Sequence, residues 1–196
     1  MLPMRDGKAK QQFTAYPRRP SPPILQNLIF GTHRPQKKIG KVMSREATAY
    51  HEAGHAVAAW KLGYRPISAS ITAVEESVGE VRHENPFPGV NLEFDGSDLA
   101  RSRVERAIMI RLAGPIAQKR YRPTSWRRWQ GGADYAVAAD LALRVCGSGE
   151  VASAFLKWLD LRAKALIENH WPAVERLAIA LIKHGTMNQE EIAALM

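Results

Sequence analysis

His51-Glu52-Ala53-Gly54-His55 is the stretch of this chain whose residue types and spacing can do chemistry. Histidines at i and i+4 share one helix face, with Cβ atoms about 5–6 Å apart. From there two imidazoles can close on one ion at Zn–N distances of about 2.0–2.1 Å. Glu52 follows His51 by one residue, about 100° further around the helix. It does not share the histidine face, but it reaches a water held by the ion. The pattern therefore divides into two metal ligands, His51 and His55, and one general base, Glu52. The bland alternative is a pair of satisfied core histidines. Burying two imidazoles and a carboxylate together without a partner is costly, which favours the metal.

A catalytic zinc site takes a third protein ligand and keeps one position open. Asp134 is the candidate. It is in phase with Val137, Leu141 and Val145, so its carboxylate falls on the apolar stripe of a helix, where it needs a partner. Asp140, turned about 240° away, is expected to face water. Asp134 also fits a plain anion at a helix N-terminus. Cys146 is the other candidate third ligand, against the ordinary role of a small core residue.

These residues need helices to place them. Ser44 is suited to cap the first helix, Glu46 lies in its first turn, Lys61 in its last, and Gly63 fits the position after its end. Two apolar stripes run along it, Ala47-His51-His55-Ala58-Leu62 and Tyr50-Ala53-Val57-Trp60. Such a helix is apolar over most of its circumference and belongs inside the protein. Residues 67–73 alternate and read as a half-buried strand, and 80–83 as a weaker one. A loop with Pro86, Pro88, Gly89 and Gly96 follows.

Ser97 opens a helix with Ala100, Val104, Ile108 and Leu112 inward, and Gly114-Pro115 is expected to break it. A basic, Trp-containing loop spans Lys119 to Gly132. The helix from Asp134 comes next. Another carries Val151, Phe155, Trp158, Leu161 and Ala165 as its inward stripe. Pro172 starts a further helix with Val174, Leu177 and Leu181 inward, ending at Gly185, and Asn188 caps a last short one. Trp158 and Trp171 read as core residues. The fold class is mainly α with a small β-sheet or hairpin element.

The chain has 196 residues and a net charge of +9. Residues 1–42 hold nine basic side chains and one acid, Asp6, which is +8 of that total. They also hold six of the twelve prolines. Charge and proline without periodicity read as a disordered basic arm, leaving a nearly neutral body at 43–196. One cysteine excludes an internal disulfide framework and fits a cytoplasmic setting. No run of about 18 apolar residues occurs, so no membrane span is expected. The opening residues lack the apolar stretch of a signal peptide.

Ala49-Tyr50-His51-Glu52-Ala53-Gly54-His55-Ala56-Val57 resembles the protease domain of FtsH-type AAA+ zinc metalloproteases. Arg111-Leu112-Ala113-Gly114-Pro115-Ile116-Ala117, Gly132-Ala133-Asp134 with Ala138 to Ala142, and 166–187 resemble later parts of that domain. The resemblance covers residues 43–196. It implies a helical peptidase body whose zinc is held by His51, His55 and Asp134, with Glu52 as general base. Ala133 stands where the family usually has Asn. Transmembrane segments and an ATPase module usually precede the peptidase. Neither is read here, and Gly40-Lys41 lacks the rest of a phosphate-binding loop.

The expected activity is a zinc-dependent endopeptidase acting without its own ATPase, on short or unfolded polypeptides or on those delivered by a separate unfoldase. A strand edge would align the substrate. Ile71, Val81 and His83 are the candidate substrate-binding residues, His83 also for the oxyanion. The alternative is a regulatory module using the same body as a scaffold. Its basic arm, or the Arg- and Trp-rich 119–129 loop, would then hold nucleic acid or an acidic protein. A homo-oligomer is a further possibility for that loop, packed between subunits.

Overall fold

The computed structural model describes residues 44–72, 79–83, 85–86, 97–125 and 132–196. The basic arm at 1–42 and residues 126–131 of the Trp-containing loop lie outside the described residues. Among the described residues, no helix is long and apolar enough to cross a membrane.

Helix α1 (Arg45–Lys61) begins where the Ser44 side chain accepts from the Ala47 amide, and it ends before Gly63 at φ +87°, a conformation that suits glycine. Every residue from Ala47 to Ala59 is buried, as expected of a helix apolar nearly all round. Strands β1 (Pro66–Ser70) and β2 (Glu80–His83) pair antiparallel, with Ala69 opposite Val81. Helix α2 (Asp98–Tyr121) is capped by Ser97. A short 3-10 turn (Pro123–Ser125), α3 (Gly132–Cys146), α4 (Gly149–Asn169) and α5 (Trp171–His184) follow. Strand β3 (Thr186–Asn188) then pairs with β1, Met187 opposite Ala69, before α6 (Gln189–Ala193). The fold is mainly helical with one antiparallel sheet in the order β2-β1-β3. Ala69 and Met187 are buried and Val81 half-buried, so this row seats the sheet on the core.

Two apolar clusters share α2. One face of α2 (Ile110, Ala113, Ala117) joins α1, β1 and α5. Another face (Val104, Ile108, Met109, Leu112) joins α3 and α4. The α1–α2 approach is very close at Gly54, where an added Cβ would lie 2.6 Å from Ala117 Cβ and 2.7 Å from the Ala113 carbonyl oxygen. Any side chain there would force the two helices apart.

Four expectations are corrected. Gly114-Pro115 does not break a helix: α2 runs through both. Pro115 has no N–H for the Arg111 carbonyl, but the packing of this helix in both clusters outweighs the lost bond. Helix α3 turns Ala138, Ala139 and Ala142 inward with Asp134, while Val137 is 41% exposed and Leu141 and Val145 are half-buried. The alanines let α3 sit close to α2 and α4. Helix α4 buries Ala152, Phe155, Leu156, Leu159 and Ala163, leaving Val151, Trp158 and Leu161 at 54, 45 and 59% exposed. The sequence offers two adjacent apolar stripes sharing Phe155, and only one can face α2 and α3. Trp158 therefore stacks on Phe155 (5.8 Å) under the Arg162 guanidinium (4.7 Å) rather than entering the core. Lastly, the strand read at 67–73 is Pro66–Ser70, and Ile71 follows it, buried, its amide bonded to the Gly185 carbonyl.

Candidate metal centre

His51 and His55 project from the buried middle of α1 toward α2 and α3. Their Nε2 atoms lie 3.1 Å apart. Asp134, in the first turn of α3, brings Oδ2 to 3.1 Å from His51 Nε2 and 3.5 Å from His55 Nε2. All three residues are buried. A tetrahedral ion at about 2.0–2.1 Å from each ligand requires ligand–ligand distances of about 3.3–3.4 Å. The triangle observed has that size.

The tautomers make the case chemically. The Ile110 carbonyl can only accept, so at 2.7 Å His55 Nδ1 must donate to it. His51 Nδ1 donates to Gln118 Oε1 at 3.1 Å. With Nδ1 committed in this way, the Nε2 atoms are the ones free to act as ligands, and they converge with a carboxylate oxygen. Three such atoms within 3.5 Å of one another need a proton or a metal cation between them. The donor set of two imidazoles and one carboxylate suits a divalent ion, and it leaves positions open.

The outer residues hold this geometry. Gln118 is fully buried on α2. Gly114, one turn earlier, lies against the His55 ring, which a Cβ there would penetrate. Fixing the ring through its second nitrogen is how outer partners orient a ligand histidine. The resemblance pointed to residues 111–117 but not to these roles, and Gln118 was not anticipated. Its only trace in the sequence is an amide four residues after Gly114, on the same face of an otherwise apolar turn.

Glu52 is buried beside the triad, its carboxylate against Gly79, where a Cβ would lie 2.5 Å from Oε1. Burial pushes its pKa up to about 7; Asp134 and Glu80 push the same way, while His51 and Arg111 oppose. For Asp134 burial acts upward too. With protons rather than an ion on the imidazoles, the charge of His55 and the hydrogen bonds from both rings outweigh it and hold the carboxyl far below the usual range. The two carboxyls thus differ in kind: Asp134 stays ionised, and Glu52 without a metal beside it is poised to exchange a proton near neutrality.

The other candidates spread out. Cys146 is at the far end of α3 from Asp134, twelve residues on, and is not part of the triad. Asp140 faces outward and binds Arg144 at 2.9 Å. Val81 is half-buried on β2. His83 is at the end of β2 away from Glu80, its ring 6.4 Å from that of Tyr64. The Gly79–Glu80 end of the strand is the one that meets Glu52. A scan of the chain against protein-family models and a search of curated proteins both find no match.

Proposed function

We propose that this protein is a zinc-dependent endopeptidase of the FtsH type, hydrolysing peptide bonds with Glu52 as general base. The observation that supports this most is the juxtaposition just described. Three convergent lone-pair donors on His51, His55 and Asp134 stand beside a buried carboxyl whose pKa lies near 7. His51, His55 and Asp134 would hold the zinc. Bound there, zinc would acidify a water and polarise the scissile carbonyl.

The chain's own residues supply the rest. Glu52 accepts the proton of the attacking water at its carboxylate and returns it to the leaving amine. The ordered Nδ1 bonds of His51 and His55 keep their Nε2 atoms aimed without rearrangement. Strand β2 is at the sheet edge, paired with β1 on one side and with no strand on the other among the described residues. An extended polypeptide can add there through main-chain hydrogen bonds, entering beside Glu52. Short or unfolded polypeptides are the substrates this favours.

The test is metal analysis with a peptidase assay. Wild type should carry close to one zinc per chain, Asp134→Ala should lose it, and Glu52→Gln should keep zinc but lose turnover. Full hydrolysis by Glu52→Gln would overturn the mechanism. Salt-sensitive retention of nucleic acid by a protein inert toward every peptide would favour the regulatory reading instead.

A further inference from the structure

The edge strand β2 carries two charges that nothing else in the sheet answers. Glu80 and Arg82 are exposed and share one face of the strand, while Val81 between them turns toward the core. Their cross-strand neighbours on β1 are Ser70 and Ser68. Neither serine brings a charge. Ser70 is also engaged, its Oγ 2.7 Å from Thr186 Oγ1 and accepting from the Thr72 amide at 3.2 Å. Strand β3 continues the two rows with Thr186 and Asn188, again uncharged. Neither Glu80 nor Arg82 enters a hydrogen bond or ion pair among the described residues.

Directly opposed side chains are the unit by which sheets are stabilised: opposite charges attract and like charges repel. With serines on the β1 side, the place for a counter-charge is the open side of β2, on a strand added there. Glu80 and Arg82 are two residues apart, about 6.5–7 Å along the strand. Alternate residues of an extended polypeptide have the same spacing and the same facing. The two charges are also ordered with respect to the centre. Gly79, against which the Glu52 carboxyl is packed, directly precedes Glu80. Glu80 stands close enough for its charge to act on Glu52, and Arg82 lies two residues further away.

We infer that Glu80 and Arg82 select the sequence that is cleaved: an acidic residue opposite Arg82, then one unselected residue, then a basic residue opposite Glu80, with the scissile bond to the carboxyl side of the basic residue. This rests on the metal-peptidase reading above and names its substrate class. The order follows from antiparallel addition, the direction found throughout this sheet and the slightly stronger of the two pairings. An antiparallel substrate passes Arg82 first, then Glu80, and then reaches Glu52. Its middle residue points to the other face, beside Val81. The recognised residues lie within a chain, so no free terminus is required and cleavage is internal.

The test uses the full chain loaded with zinc and two peptides of one composition, blocked at both ends. One carries Glu-Ala-Lys and the other Lys-Ala-Glu in the same flanking sequence. The proteins are wild type, Glu80→Lys, Arg82→Glu and the double variant, with zinc content and circular dichroism establishing that all are loaded and folded. Wild type should favour Glu-Ala-Lys about 10-fold in kcat/KM at low salt. Salt near 1 M should erase most of that difference. Each single variant should lose most of the preference, and the double variant should favour Lys-Ala-Glu. Taking the ratio of the two peptides within each protein removes any general effect of Glu80 on Glu52. Equal kcat/KM for the two peptides in an active wild type, or an unchanged preference in the double variant, overturns the inference and leaves the peptidase reading standing. Peptide binding is measured separately by fluorescence anisotropy on Glu52→Gln, with and without the two charge reversals. A preference for Glu-Ala-Lys that the reversals invert, in a protein whose wild type cleaves neither peptide, would support recognition at β2 while removing the peptidase reading.

Discussion

Replacing Glu52 by Gln should stabilise the metal-free protein, and by an amount that depends on pH. Glu52 is buried in the folded chain with a pKa of about 7 against 4.5 in an unperturbed carboxyl. Below pH 4.5 the carboxyl is protonated in both folded and unfolded chains, and the difference between variant and wild type is flat. Between 4.5 and 7 the unfolded chain has released the proton while the folded one still holds it, so wild-type stability falls as pH rises. Above 7 both are ionised and the penalty is complete. The gap between the two pKa values corresponds to about 3 kcal/mol. Gln cannot ionise, so the variant escapes this loss. Burying an amide adds a cost of its own, but that cost is the same at every pH and shifts the whole curve. The quantity to read is therefore the change in the difference between pH 4.5 and 8.

In a body of about 150 residues, 3 kcal/mol is a shift of about 6–12 °C in Tm. Thermal melts of both proteins with a chelator, across pH 4.5 to 8, measure it. Glu52→Gln should gain on wild type steadily up to neutrality and then hold level. Zinc should shrink the gap, because a nearby cation favours the ionised carboxylate. A difference that does not vary with pH in the metal-free proteins would refute the reasoning, since it would mean that Glu52 is solvated in the folded chain.

The remaining predictions concern the scaffold around the ligands. Gly114→Ala should weaken zinc binding about 10–100-fold in a chelator competition, because its Cβ displaces the His55 ring. Gly132→Ala, where a Cβ meets nothing within 4 Å, should leave it unchanged. Gln118→Leu should cost a similar factor by orphaning His51 Nδ1, and Gln118→Glu should recover binding because it restores the acceptor. Asn188→Ala should lower stability by about 1 kcal/mol in denaturant melts without altering zinc affinity, since Asn188 caps α6 reciprocally with Glu191 and touches no ligand.

What could be read from the sequence was whatever a single element decides. The i, i+4 histidines, the Ser44, Ser97 and Asn188 caps and the end of α5 at Gly185 are local, and they are found where the residues put them. Position 134 was named from a stripe with Val137, Leu141 and Val145, but Asp134 is buried with Ala138, Ala139 and Ala142 instead. The errors lie where two elements compete. Periodicity could not tell which of two adjacent stripes α4 would bury, because that depends on the shape of α2 and α3. A proline read as a terminus is absorbed in α2, because both faces of that helix are packed. Strand β3 has three residues, Thr-Met-Asn, and exists through its pairing with β1. Gln118 was invisible as a site residue for the same reason: it acquires its meaning from a side chain on another helix.

The centre also belongs to the architecture. His51 and His55 are rooted in the cluster built on α1, β1 and α5, and Asp134 in the helix that belongs to the cluster of α3 and α4. Helix α2 runs between them and supplies the Ile110 carbonyl and Gln118. An ion held by all three ligands therefore cross-links the two clusters at the point where apolar packing gives way to buried polar atoms. Without it, protons must stand between the two Nε2 atoms and the Asp134 oxygen, beside a carboxyl that resists ionising. Such groups oppose burial rather than favour it. The surrounding alanines and glycines bring the backbones close enough to enforce the arrangement regardless. The local energetic conflict at 51–55 and 134 is what a site completed by a bound cation would show, and a cation there would add its binding energy to the stability of the fold.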